Sequence, residues 1–341
     1  MQKDPFRLHK LALAPFLESD QPVDFPSLLC EADKDGCNDF LQFLIFNGMA
    51  PLWHDALINS RQQNEIDADF LDKLRKVRLT AKANYLMQKK TIQKIHDTLT
   101  TVNMKYVVFK GAQIRELIYE NPSLRPCTDI DVLVSKYDRN AAIQALNIIG
   151  MRYTSNNKFT HEATLIDGPV HIDLHTYVTN PGRMRRDISE SILDNIQNLK
   201  YFVGPSTEDT LFILLVHPAF RKHVCNPYAL LIRIVDLLLF LKSQTIDWDK
   251  VLHLLNISGV ETAAWATMYW IYLLTKEDTL VEYLDKLKPK TPQKKYLEFW
   301  IQNNLPTKLV NHKQLVRLTF SLALHDNAKD ALRSLVMFAK Q

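Results

Sequence analysis

The chain has 341 residues, 46% of them hydrophobic, and 42 Lys and Arg against 38 Asp and Glu give a formal net charge of +4. That balance describes a globular protein of about two domains. Its eight glycines, no two closer than 12 residues, exclude the dinucleotide fingerprint, the Walker A loop and the nucleophile elbow, each of which needs closely spaced glycines.

Cys30, Cys37, Cys127 and Cys225 form no Cys-x-x-Cys pair, so reduced thiols and a cytoplasmic location are expected. The N-terminus lacks the apolar run and cleavage site of a signal peptide. The most apolar segment, residues 228–241, carries Arg233 and Asp236, so no membrane span is expected.

Residues 1–100 read as an N-terminal helical region. The polar stretch from Asp67 to Leu99 repeats Phe70, Leu74, Val77, Ala81 and Tyr85 at helical spacing with no proline. From Lys105 the character changes. Tyr106–Phe109 is a β-prone run stopped by Lys110 and Gly111, and a helix from Gln113 to Tyr119 should follow. After the two prolines of residues 121–126, Asp129–Val134 reads as a strand, then residues 138–149 as a helix capped by Gly150. Thr160–Ile166 and Val170–Tyr177 are strands joined at Asp167-Gly168, a hairpin turn signal, which makes residues 101–204 a βαβαββ core.

Residues 205–341 read as a C-terminal helical domain, opened by Ser206 and Asp209 as an N-cap pair. The expected fold class is α+β: a small mixed sheet with helices, flanked by N- and C-terminal helical regions. Residues 286–341 hold nine Lys and two Arg against three acids. This basic stretch is either a footprint for RNA or another polyanion, or a solvated lysine-rich surface.

Among several Asp-x-Asp triplets, Asp129-Ile130-Asp131 stands apart. Asp67/Asp69 and Asp247/Asp249 fall at helix starts, where residues two apart diverge by about 200°. In a strand the period is two, so Asp129 and Asp131 share one face, with Ile130, Val132 and Val134 on the other. In VHIDLH, His171, Asp173 and His175 likewise share a face. Pairing of the two strands side by side would bring three carboxylates together. Such hard oxygen donors suit Mg²⁺ or Mn²⁺, two ions about 4 Å apart being a known clamp for in-line phosphoryl displacement. The His-x-Asp-x-His string also admits a transition-metal hydrolase.

The segment VVFKGAQIRELIY, then Arg125, then TDIDVLV resembles the strand, Lys-Gly turn, helix and Arg-x-x-x-Asp-h-Asp-h-Leu-Val series of an uncharacterised family of bacterial nucleotidyltransferases in the polymerase β superfamily. The resemblance continues through HIDLH, STEDTLFILLVHPAF and LLIRIVDLLLFLKSQTIDWDKV, across about residues 40 to 255. It implies transfer of a nucleoside monophosphate from an NTP to a hydroxyl acceptor with release of pyrophosphate. Asp129 and Asp131 would hold both metal ions and the nucleotide phosphates. Asp173 would complete one metal site and draw the acceptor proton.

By the same resemblance Lys110 and Gly111 form a turn where a triphosphate rests at a helix N-terminus. Arg125 either reaches a phosphate as a bidentate hydrogen-bond donor or pairs with Asp129 or Glu116. Arg233 either meets a phosphate or is neutralised by Asp236 one turn away, and His175, His217 and Asp236 are read as supporting groups. Two departures stand out: Gly111-Ala112 replaces the usual Gly-Gly or Gly-Ser, and residues 112–128 make a long gap. The order of motifs is similar to that of abortive-infection toxins that add nucleotides to tRNA. The acceptor stays open among RNA, a small molecule and a protein side chain, and a non-catalytic nucleotide-binding or RNA-binding module of the same fold is the competing class.

Overall fold

Residues 4–18, 21–33, 37–154, 162–220, 224, 231–305 and 313–339 are described by a computed structural model. Thr160 and Cys225 lie outside them, as do residues 306–312 of the basic C-terminal stretch. Five strands form the central sheet: β1 (Tyr106–Phe109), β2 (Asp129–Val134), β3 (Arg152–Tyr153), β4 (Glu162–Asp167) and β5 (Val170–His175). Their order is β1-β2-β5-β4-β3. β2 and β5 run parallel while the other pairs are antiparallel, so the sheet is mixed and the fold is α+β.

The core of the sheet region is thus βαβαβββ. Arg152–Tyr153 adds a strand to the expected set, and two residues are too few for a period to show. β5 also stops at His175, short of Tyr177. A second small sheet pairs β6 (Ile196–Asn198) with β7 (Val203–Pro205), just ahead of the C-terminal helices.

Sixteen α-helices among the described residues surround the sheets. The N-terminal ones are α1 (Arg7–Leu13), α2 (Phe25–Asp33), α3 (Cys37–Phe46), α4 (Ala50–Ile58) and α5 (Ala68–Thr101). Next come α6 (Gly111–Ile118), α7 (Arg139–Ile148) and α8 (Ser189–Asp194). The C-terminal set is α9 (Thr207–Phe220), α10 (Ile232–Ser243), α11 (Trp248–Ser258), α12 (Glu261–Thr275), α13 (Val281–Lys286), α14 (Thr291–Gln302), α15 (Lys313–Ala323) and α16 (Ala328–Ala339). No helix among the described residues is long and apolar enough to cross a membrane.

Caps set the helix starts. The Asp67 carboxylate accepts from the Phe70 N–H at 3.0 Å to open α5. Ser206 and Asp209 close a reciprocal cap on α9, with Ser206 Oγ donating to Asp209 at 2.7 Å and accepting from its N–H at 3.2 Å.

The two sheet faces do different work. Ile130, Val132, Val134, Ile172 and Leu174 point into one core, closed by Ile92, Ile95 and Leu99 of α5. On the other face Val107, Phe109 and Leu133 join a larger core that runs from Phe6 through the N-terminal helices to Trp265 and Leu297 in the C-terminal ones. On that face β2 carries Asp129 and Asp131, and β5 carries Asp173, instead. One helix, α5, serves both cores: Phe70 and Leu74 pack into the larger, and Ile92, Ile95 and Leu99 into the smaller.

His9 and His325 are buried with ring nitrogens that have no hydrogen-bond partner, and burial pushes both imidazoles down to about 4. Between pH 6.5 and 4 the unfolded chain takes up protons at these positions that the folded one refuses. Their stabilising contribution is complete above pH 6.5 and is lost as the pH falls towards 4, by up to about 3 kcal/mol each. The Tm of the wild type is expected to fall over that window, and that of His9→Gln with His325→Gln to fall less. Parallel curves would show that neither ring is buried uncharged.

Candidate active site

Parallel pairing of β2 with β5 sets Asp129 opposite His171, Asp131 opposite Asp173 and Leu133 opposite His175. Partners in register share a face, so the three acids fall on one side of two adjacent strands. Burial is graded across them: Asp131 is buried, Asp129 and Asp173 half-buried. Thr164 of β4 stands opposite Asp173 and donates to it at 3.0 Å.

Asp131 is the electrostatic centre. Its Oδ1 accepts from Lys110 Nζ at 2.5 Å and faces His175 Nε2 at 2.8 Å. Burial alone would raise the carboxyl, but the Lys110 charge and the His175 bond outweigh it and hold it well below the ordinary carboxylate range. Burial and the Lys110 charge push His175 down. A neutral His175 then donates from Nε2 to Asp131, which fixes its tautomer. Asp129 moves the opposite way: burial, then the charges of Asp131 and Asp173, raise it.

The turn after β1 is strained. Lys110 has φ 57° and ψ −135°, a region ordinarily left to glycine, and it stands at the start of α6 with no side-chain cap on the helix. Gly111 is there because nothing larger fits. A Cβ at that position would overlap Arg125 Nη1 and come 2.9 Å from Cys127 Sγ. The start of α6 borders a small cleft whose lining includes Lys110, Gly111, Arg125, His217, Arg233 and Asp236.

Within this cleft the ion pairs differ from the expectation. Arg125 is neither a partner of Asp129 nor of Glu116; its Nε and Nη2 donate to Asp236 Oδ1 and Oδ2 at 3.2 and 2.6 Å. Tyr119 OH adds a third bond to Asp236 at 2.8 Å. Asp236 therefore gives its ion pair to Arg125 and acts on Arg233 only through its charge, although the two are one turn apart on α10. Arg233 Nη1 lies 3.4 Å from His217 Nδ1, and its buried Nε has no hydrogen-bond partner. Burial and the neighbouring Arg125 charge both lower its pKa.

Among the described residues, no three His, Cys, Asp or Glu side chains already form a metal-ligating cluster. The donor chemistry still fits a hard cation. The three acids offer only oxygen, and the Lys110 ammonium stands on Asp131 as a cation would. His175 turns its Nε2 to Asp131 and His171 is exposed at the strand start, which favours the all-carboxylate set over a His-x-Asp-x-His centre.

Several contributing residues carried no motif. Thr164 and Glu162 were within reach of counting: outward from the Asp167–Val170 pair of the hairpin, the register reaches Thr164 opposite Asp173 and Glu162 opposite His175. Tyr119, Cys127 and Gln88 gave no signal at all. Cys127 Sγ donates to Asp129 O at 3.0 Å, and Gln88 Nε2 to Cys127 O at 2.9 Å.

A mixed sheet with an Asp-x-Asp strand beside a third acid, reached by a strand-turn-helix unit, defines a nucleotidyltransferase fold. The family model described as uncharacterised nucleotidyltransferase matches residues 33–275. The chain belongs to that family, and the match extends beyond the motif series on both sides. No curated protein matches the chain.

Proposed function

We propose that the protein transfers a nucleoside monophosphate from an NTP to a hydroxyl acceptor in the cytoplasm, releasing pyrophosphate. The register that sets Asp131 beside Asp173 carries this reading. Asp129, Asp131 and Asp173 would hold Mg²⁺ or Mn²⁺, two ions that when bound offset charge on the attacking and leaving oxygens. Asp173, less buried than Asp131 and held only by Thr164 among the bonds described above, is the group that draws the acceptor proton.

Lys110, the Gly111 backbone and Arg233 receive the triphosphate. Arg125 contributes chiefly by shaping the cleft, since its fork is engaged by Asp236. Arg233 is half-buried and, among the described residues, makes no ion pair with a carboxylate; an anionic ligand would satisfy its buried Nε. His175 positions Asp131, and His217 flanks Arg233. The acceptor is RNA, such as tRNA, a small-molecule hydroxyl or a protein side chain, and the basic residues 286–341 favour RNA.

Thermal unfolding with each of the four NTPs, with and without Mg²⁺, tests this. One NTP at about a hundred times its Kd should add about 2.7 kcal/mol to the wild type only when Mg²⁺ is present. Asp129→Ala with Asp131→Ala should lose that gain. A gain that survives without Mg²⁺ and in the double variant would identify a nucleotide-binding module instead.

A further inference from the structure

Between residues 73 and 96, helix α5 has eight Lys and Arg and no Asp or Glu. Some of that charge is spent within the fold. Arg78 pairs with Asp55 at 2.8 Å and Lys94 with Asp167 at 2.9 Å. The rest points outward. Arg75, Leu79, Lys82, Leu86, Lys89 and Gln93 follow one another at steps of three and four, the spacing of a single helix face, and all but the half-buried Lys89 are exposed. Exposed Lys90 flanks the stripe. Among the described residues Lys82 and Lys90 have no ion pair within 4 Å, and Arg75 meets only Asp72, a turn below.

The position of this face matters as much as its charge. Gln88 holds the carbonyl of Cys127, two residues before Asp129. Thr91 and Lys94 bind Asp167, at the hairpin that leads into β5. β2 and β5 are parallel and begin together, Asp129 opposite His171, so α5 is pinned at the very end of the sheet where the acids begin. Its exposed cations form a track about 20 Å long, from Arg75 to Lys90, that ends at the strand starts, behind the sheet face that carries the acids.

We infer that the outward face of α5 is the docking track for a polyanionic acceptor, an RNA strand whose phosphates meet Arg75, Lys82 and Lys90 and whose end is led to Asp129 and Asp173. The inference rests on the nucleotidyl-transfer reading and assigns RNA contact to α5, apart from the C-terminal basic stretch. An acidic protein helix is the other occupant that Leu79 and Leu86, seven residues apart, bring to mind. The cations outnumber these leucines on the stripe, and the acids lie at the same end of the sheet on its other face, which favours RNA.

The test is fluorescence anisotropy of a labelled RNA hairpin with a single-stranded end, titrated with the full chain across a range of salt and without NTP. Arg75→Gln, Lys82→Gln and Lys90→Gln alter exposed side chains, so Tm should hold. The triple variant should bind at least tenfold more weakly, with the slope of log K against log salt reduced by about 2 for three lost contacts. Unchanged affinity and slope, or no RNA binding by the wild type, would overturn the track. So would loss of binding in Leu79→Ser with Leu86→Ser but not in the charge variant, the mark of an apolar partner surface. Pyrophosphate release is read separately: RNA bound through α5 with no turnover under any NTP would defeat the transfer reading and leave the track standing.

Discussion

Replacing Asp131 by Asn should lower pyrophosphate release by about a thousandfold and should also cost stability, about 3 kcal/mol. Both effects come from one atom. Oδ1 of Asp131 receives Lys110 and His175, and the Lys110 and Asp131 side chains are only 9% and 10% exposed. Asparagine keeps the shape and loses the charge, so the Lys110 ammonium is left buried with no counter-ion. Removing that ammonium as well, in Lys110→Met with Asp131→Asn, should restore much of the lost Tm and none of the turnover. Asp173→Asn provides the contrast. Its carboxylate is half-buried and takes one bond from Thr164, so turnover should fall comparably with Tm almost unchanged. Turnover retained in both variants would remove the three acids from the chemistry.

The acids could be read from the chain because strand periodicity is local. Six residues of DIDVLV and six of VHIDLH suffice to sort side chains by face, and Asp167-Gly168 marks the hairpin between β4 and β5. Which strand lies beside which is not local. The parallel contact of β2 with β5 spans two antiparallel neighbours and a helix, and sequence makes the convergence of Asp131 with Asp173 conditional on it. The ion pair of Asp236 shows the same limit more sharply. A helix partner three residues away, Arg233, is the obvious choice by sequence, but Arg125 arrives from 111 residues upstream with two forked bonds. Lateral geometry decides it, because the fork matches a carboxylate that the neighbour on the same helix cannot face in the same way. In α5 the periodic stripe Phe70, Leu74, Ala81 was legible as a buried face, while the division of the helix between two cores, and the exposed cationic face between them, depends on where the sheet sits.

Asp236→Asn should destabilise the fold by about 3–5 kcal/mol, the cost of leaving a buried guanidinium unpaired. Arg125 is 7% and Asp236 1% exposed, and burial that alone would lower the arginine pKa is outweighed by Asp236, which raises it. The loss should reach the nucleotide site as well. Arg125 packs across Gly111, where a Cβ would collide with it, so a guanidinium released from Asp236 disturbs the turn that presents Lys110 and the start of α6. Arg125→Lys keeps the charge but not the fork, and should recover only part of the stability. Arg233→Met separates structure from ligand: this half-buried arginine makes no ion pair with a carboxylate among the described residues, so its removal should leave Tm unchanged or raise it while the protection given by NTP with Mg²⁺ falls at least tenfold in apparent affinity. Equal losses of Tm in Asp236→Asn and Arg233→Met would mean that the two cations share the carboxylate, and that the cleft holds no free positive charge for a phosphate.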